Sequence, residues 1–432
     1  MVLSVRTSPV LEPSRQGISL PPWRRVVRHF PHRGLPSARE AVLAELDKPE
    51  IAALVRDGMN VAIGVGSRGI GCIQEVVRAL VDGLERLGAR PFIVPAMGSH
   101  GGATAAGQVA VLASYGITED QVGAPIRASM DTVELGTVLD GVPVFTDRIA
   151  FTGADAIIPV ARVKPHTDFR WDVESGLHKM LAIGLGKYRG ASTVHTFPLD
   201  RFGETIKAAA ERVLERAPVA FGIAIVEDGY EEPAIIEAVP AACFATREPE
   251  LLRLGKEWLA RLPFSQADIL LVQELGKNIS GSGMDPNVTG RFADPSIPKP
   301  VEVGRIIVLD LTDETQGNGC GVGFADLVTR RAAEKIDLAK TYTNHVTSQL
   351  LEGAKLPLVA ETDREALAIA ASTLYRQVPE RARIAWIKNT LELSELRLSE
   401  PLWQEVSGNP ELEAPGEPEP IRFDAEGGLL LD

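Results

Sequence analysis

NVAIGV at residues 60–65, GSRGIG at 66–71, IQEVVRALVDGLERL at 73–87 and PFIV at 91–94 together decide the fold class. The first run is continuously apolar and short, as a strand buried on both faces must be. The third places its apolar residues at helical spacing and ends near Gly88. The fourth is a second buried strand. Strand, loop, helix and strand make a βαβ unit, which requires a parallel sheet with its helix packed on one face.

The same alternation extends outward. Upstream, SAREAVLAELDKPEIAALVR at 37–56 is helical, broken by Pro49. Downstream we expect helices at 104–114, 175–183, 201–216 and 248–261, and strands at 154–160 and 220–226, with helices on both sheet faces. Leu262-Pro263-Phe264-Ser265 looks like a hinge, and ADILLV at 267–272 starts a new strand. Strands at 305–310 and 383–387 and helices at 325–339 and 363–374 then describe a second, smaller α/β domain. The expectation is therefore an α/β protein of two domains, 1–262 and 263–432, each a mostly parallel sheet flanked by helices, with the active site in the interdomain cleft. The acidic, proline-rich stretch 410–420 reads as a surface loop.

A chain of 432 residues exceeds one hydrophobic core. Its 45% hydrophobic and 24% charged residues are ordinary for a folded domain. The net charge of −13 excludes nucleic acid and anionic membranes as partners, since both require a basic surface. The one basic cluster, Trp23–His29, reads as a solvated extended arm. Cys72, Cys243 and Cys320 show no metal-knuckle or disulfide spacing, which fits a reducing compartment. With no signal peptide or apolar span of membrane length, we expect a cytoplasmic protein.

Seven histidines occur in the chain, and three of them lie in turns with a lysine between two: His100 in SHGGAT, His166 in KPHTDF, Lys179 in ESGLHKM and His195 in STVH. His100 follows a strand, at the carboxyl edge where open α/β sheets bind ligands. In Arg162-Val163-Lys164-Pro165-His166, alternation sends both cations and the imidazole to one face, and Pro165 ends the strand. Arg162 or Lys164 suits a substrate carboxylate, while His166 exchanges a proton near neutral pH. Taken alone, each cation is better explained by pairing with a surface carboxylate. Lys179 sits among apolar residues, which favour its neutral, nucleophilic amine. The loop Ser67-Arg68-Gly69 presents backbone N–H groups and a guanidinium suited to a phosphate. In the second domain, Lys277 and Arg291 are candidate carboxylate anchors within a glycine-rich loop that turn chemistry alone also explains. His29, His32, His178 and His345 read as structural or solvated. On residues alone, Lys179 and His195 suggest a pyridoxal-type lysine or an incomplete metal site.

The series SHGGAT, KPHTDF, ESGLHKM and STVH, with an arginine-bearing loop after the first strand, resembles the nickel-dependent lactate racemase family over most of residues 60–260. The resemblance implies a nickel-pincer nucleotide, a pyridine mononucleotide carrying nickel, joined covalently to Lys179. It further implies His195 as the nickel ligand, His100 and His166 as acid and base, and Arg68 at the cofactor phosphate or substrate. Such a racemase removes the hydroxyl proton as hydride passes to the pincer ring, then returns hydride to either face of the planar 2-oxo acid. The implied partners are a small 2-hydroxy acid and, transiently, the enzymes that build the cofactor.

The chain departs from the lactate enzymes at Val65, where they carry an acidic residue. It departs again in the longer stretch between His166 and Lys179, with Asp168, Arg170, Trp171 and Asp172, and in SGLHK. These changes point as readily to a sugar acid or dicarboxylate as to lactate. The rival reading is a non-catalytic carrier of the cofactor or of a sugar acid, and a metal hydrolase ranks last because no second motif completes a metal site.

Overall fold

The computed structural model describes residues 18–66, 70–139, 141–375 and 378–431. The chain forms two compact units, Pro31–Leu259 and, separately, Ala260 onward together with the segment ending at Phe30.

The Pro31–Leu259 unit is built on a five-stranded sheet in the order Arg90–Pro95, Asn60–Val65, Ala156–Arg162, Phe221–Glu227, Pro233–Pro240. The first four strands run parallel and the last is antiparallel. Alternation splits their side chains between two apolar layers. Val61, Ile63, Ile158, Val160, Ile223 and Ile225 pack into one, beneath the helix Ile73–Arg86. Ala62, Ile157, Ala161, Ala224 and Val226 pack into the other, against helix Leu199–Arg216. Burial on both faces is why these strands read as unbroken apolar runs. An antiparallel hairpin, Thr132–Val138 with Val142–Asp147, lies outside the alternation and was not anticipated.

The other unit carries an eight-stranded sheet: Leu358–Ala360, Leu327–Thr329, Glu302–Leu311, Gln266–Leu275, Ile384–Ile387, Glu395–Ser399, Trp23–Arg28, Leu412–Glu413. Three expectations are corrected here. The N-terminal arm is a strand, paired antiparallel with Glu395–Ser399, and Trp23 and Val26 are buried. Its cations are satisfied by Glu400, Glu395 and Glu411, so this segment belongs with the C-terminal half rather than with residues 31–262. The stretch 410–420 is an edge of the same sheet, Val27 pairing with Glu413 and Trp23 bridging Glu419. Residues 325–339 are not one helix: Leu327–Thr329 is a strand, Arg330–Lys335 a short helix, and a further helix spans Leu338–Ser348. Local helical spacing there yields to ladder pairing with Ile307 and Val308.

No helix among the described residues is long and apolar enough to cross a membrane. The three cysteines are free thiols.

Candidate functional site

Parallel strands bring their carboxyl ends to one edge, and the segments holding the first two predicted histidines leave from that edge. Val65 pairs with Pro95 and with Val160, so the segments that carry Gly66, His100 and His166 begin side by side. Ala96 N–H donates to the Val65 carbonyl (2.7 Å), and Gly98 N–H to the Gly184 carbonyl (3.2 Å). The helical turn after Lys179 therefore packs under these loops. A Cβ at Gly66 would lie 2.8 Å from the Met180 methyl, the end of a flexible side chain that packs against this loop. Ser67, Arg68 and Gly69 lie outside the described residues.

Three of the four residues singled out in the sequence meet. Lys179 Nζ is 2.5 Å from His166 Nε2. His195 packs against Phe202 at 5.0 Å between ring centroids, and His166 faces the same ring at 6.4 Å. The Asp168 backbone N–H donates to His166 Nδ1 (3.0 Å), which places the proton of the neutral ring on Nε2, directed at Lys179. An amine that accepts this hydrogen does so through its lone pair, the nucleophilic form. Burial, and then the positive charge of Lys179 when protonated, pull His195 down to about 4, so its imidazole is neutral near pH 7 and its lone pair is available to a metal.

Two buried carboxylates missed in the sequence hold this arrangement. Glu174 is fully buried and accepts from His166 N–H (2.7 Å), while pairing with Lys256 (2.5 Å) and Arg170 (3.4 Å). Together with the Lys164–Ser175 bridge, it closes the 164–175 loop and orients His166. Glu248 accepts from the His178 N–H (3.0 Å) and lies 2.7 Å from His178 Nδ1, both side chains being fully buried. His178 thus locks the turn whose next residue is Lys179. Seventy positions separate the pair, and no local signal joins them.

His100 is placed by its turn. Gln108 donates to the carbonyls of Gly98 (2.9 Å) and His100 (3.3 Å), and Lys187 reaches Gln108 Oε1 (3.4 Å) and the Pro95 carbonyl. Lys187 is fully buried, adopts φ +55° and pairs with Asp147 at 2.9 Å. Its charge is lowered in favour chiefly by burial, against the pull of Asp147. A methyl group at Gly107 would overlap the backbone of Gly101. Gly107→Ala is accordingly expected to destabilise the unit by ~1–3 kcal/mol, read as a lowered denaturant midpoint, by forcing the His100 turn from the helix.

The candidate anchors have protein partners. Arg162 pairs with Glu227 (2.5 Å) and Glu231 (3.0 Å). Burial pushes the Glu227 carboxyl up to about 7 against the pull of Arg162, and Glu231 adds to the rise. The cavity that Arg162, Lys164 and Glu227 line measures about 10 Å³, room for a water and not for a 2-hydroxy acid. In the other unit, Lys277 donates to the Gly281 carbonyl (2.6 Å), and Arg291 ties Asp326 (2.8 Å) to the Val303 carbonyl (3.0 Å).

Among the described residues, the group that brings three metal-binding side chains within 4.8 Å of one another is His32, Asp228 and Glu232. His195 does not belong to it.

No protein-family model matches the chain, and no curated protein matches it. Among solved structures, the chain is similar to the lactate racemase apoprotein from Thermoanaerobacterium thermosaccharolyticum, with 15% identity and a TM-score of 0.53, covering 86% of this chain and 99% of that one. It is also similar to a structural-genomics crystal structure of a protein from Thermotoga maritima, with 13% identity and a TM-score of 0.50, covering 82% and 96% respectively. The chain has the mixed α/β fold of lactate racemase, and the likeness is one of fold.

Proposed function

We propose, on the fold shared with lactate racemase and the side chains gathered in it, that the chain is a racemase or epimerase of a 2-hydroxy acid. The observation that carries the proposal is the meeting of Lys179, His166 and His195 around Phe202.

The residues fit a nickel-pincer nucleotide. Lys179 offers a primary amine whose hydrogen-bond partner presents it as a nucleophile, and His195 offers a neutral imidazole. One protein donor is what a metal already held by a cofactor requires. When bound, that cofactor supplies an acceptor for the hydrogen on the substrate carbon. Lys179 anchors it, and His195 ligates the metal. His166 holds an exchangeable proton on Nε2 toward Lys179, and His100 is the second acid/base residue. Two such groups are what interconversion in both directions needs, each serving as base for one enantiomer and acid for the other.

The test is protein produced alongside the cofactor-building enzymes. Intact mass should show an adduct on Lys179, with stoichiometric nickel, and a screen of 2-hydroxy and sugar acids should find one whose enantiomers or epimers interconvert. In D2O the product should keep its original C2 hydrogen. Activity with an unmodified Lys179 overturns the proposal. Binding without interconversion identifies a carrier instead.

A further inference from the structure

The two buried carboxylates behind the site, Glu174 and Glu248, are both held from one helix. Phe244–Trp258 packs Phe244, Leu251 and Leu252 into the second apolar layer of its unit. It also lies directly on the exit of the strand Ala156–Arg162, because a Cβ at Gly255 would stand 2.9 Å from the Val163 carbonyl oxygen, a backbone atom that cannot swing aside. From this seat the helix reaches both segments that carry reactive side chains. Glu248 meets the turn Leu177–Lys179 at the His178 N–H (3.0 Å). About two helical turns further on, Lys256 meets Glu174 (2.5 Å), which accepts from the His166 N–H (2.7 Å).

We propose, building on the reading of Lys179 as anchor and His166 as acid/base residue, that Glu248 and Lys256 are the positioning residues of this site. They hold Lys179 Nζ against His166 Nε2, Glu248 acting through His178 and Lys256 through Glu174. The contact of 2.5 Å between amine and imidazole is thereby tied at both ends to a single rigid rod. Such a tie has a chemical use, since misplacing a reacting group by about 1 Å costs a reaction roughly 10²-fold.

The way Glu248 is bound points to orientation rather than stability. The turn Leu177–Lys179 starts at Gly176, which has no capping side chain, and Glu248 supplies the missing acceptor. One of its oxygens takes the His178 N–H and lies 2.7 Å from His178 Nδ1, so the backbone and ring of the residue before Lys179 are fixed together. Its other oxygen sits over Gly176, where a Cβ would be 2.2 Å away. That oxygen and His178 Nε2 are buried and without a hydrogen bond among the described residues. Burying polar atoms on these terms costs stability, and an apolar pair of similar volume fills such a space with less penalty. What the pair adds is direction. Lys256 is likewise more than charge balance, because Glu174 already faces Arg170 (3.4 Å); the shorter contact to Lys256 sets how the carboxylate meets the His166 N–H.

The test labels the full, cofactor-free chain with limiting formaldehyde and cyanoborohydride near neutral pH, and mass spectrometry reads methylation of Lys179 against that of the exposed Lys355. Glu248→Leu and Lys256→Met should each lower the Lys179 to Lys355 ratio several-fold, because an amine turned away from the His166 Nε2–H keeps its own proton. Glu248→Gln, whose amide oxygen still accepts from His178, and Lys256→Arg, whose guanidinium still reaches Glu174, should hold the ratio near the parent's. Denaturant midpoints are measured beside it: a merely structural role makes the ratio follow the midpoint, whereas positioning makes it follow the hydrogen bond. Ratios untouched by the Leu and Met substitutions, or lowered as far by Gln and Arg, overturn the proposal. Should Glu248→Leu fail to fold, Glu248→Asp, which keeps the charge and withdraws the carboxylate, takes its place with the same expectation. The labelling needs neither cofactor nor substrate. A chain that labels as expected and yet interconverts no 2-hydroxy acid therefore loses the racemase reading and keeps the positioning.

Discussion

Lys179→Ala is expected to abolish the Lys179 mass adduct, the bound nickel and enantiomer interconversion together, in a chain whose circular dichroism and denaturant midpoint stay near the parent's. The amine is half-buried beside His166 and is not part of an apolar core layer, so the fold should persist without it. The neighbouring variants should separate the roles. His195→Ala should keep the adduct and lose the metal, because its neutral imidazole is a ligand and not an attachment point. His166→Ala should keep both and slow interconversion by ~10²–10⁴-fold, the usual worth of a positioned acid/base group. Loss of all three readouts in the His166 variant would mean that its imidazole builds the site rather than transferring a proton.

Asp147→Ala should give the largest stability loss, ~3–5 kcal/mol, as for other buried pairs broken on one side. Both side chains are fully buried, and the truncation leaves the Lys187 ammonium without its carboxylate. Asp147 Oδ1 also accepts from Ala150 N–H (2.8 Å), capping the helix Arg148–Gly153. The sign of the pH dependence follows from Lys187. Burial holds its folded value below the ordinary 10.5, so the unfolded chain binds that proton more tightly and stability rises with pH between the two values. Without Asp147 the folded value falls further. The destabilisation should therefore shrink as pH rises toward 10.5, because the buried amine can shed its proton. Chemical denaturation of parent and variant across neutral and alkaline pH measures both effects, and a loss independent of pH would mean that Lys187 is already neutral in the folded parent.

Much of the architecture was legible in local pattern. NVAIGV at 60–65 became the strand Asn60–Val65, and 73–87 became the helix Ile73–Arg86. The misreadings share one cause. Trp23–Arg28, Leu327–Thr329 and Leu412–Glu413 are strands because a distant partner offers a ladder; the last two are too short to show a period, and the first carries three arginines and buries only Trp23 and Val26. The 175–183 helix was foreseen as regular, whereas it passes after Lys179 into a wider π turn at Met180–Gly184, a local bulge that no apolar spacing encodes.

At the site, residue type and order already identified His166, Lys179 and His195 as members of one polar group, because imidazole and amine chemistry in apolar or turn settings has few structural uses. The alternation of apolar strands and amphipathic helices likewise dictated a parallel α/β sheet, since only that layering buries both faces. Which partners hold those groups was decided by the tertiary structure alone. Glu174 under His166, Glu248 under His178, Asp147 under Lys187 and Glu227 under Arg162 are pairings across as many as 70 positions, and a buried charge finds its partner through space, where sequence separation leaves no trace.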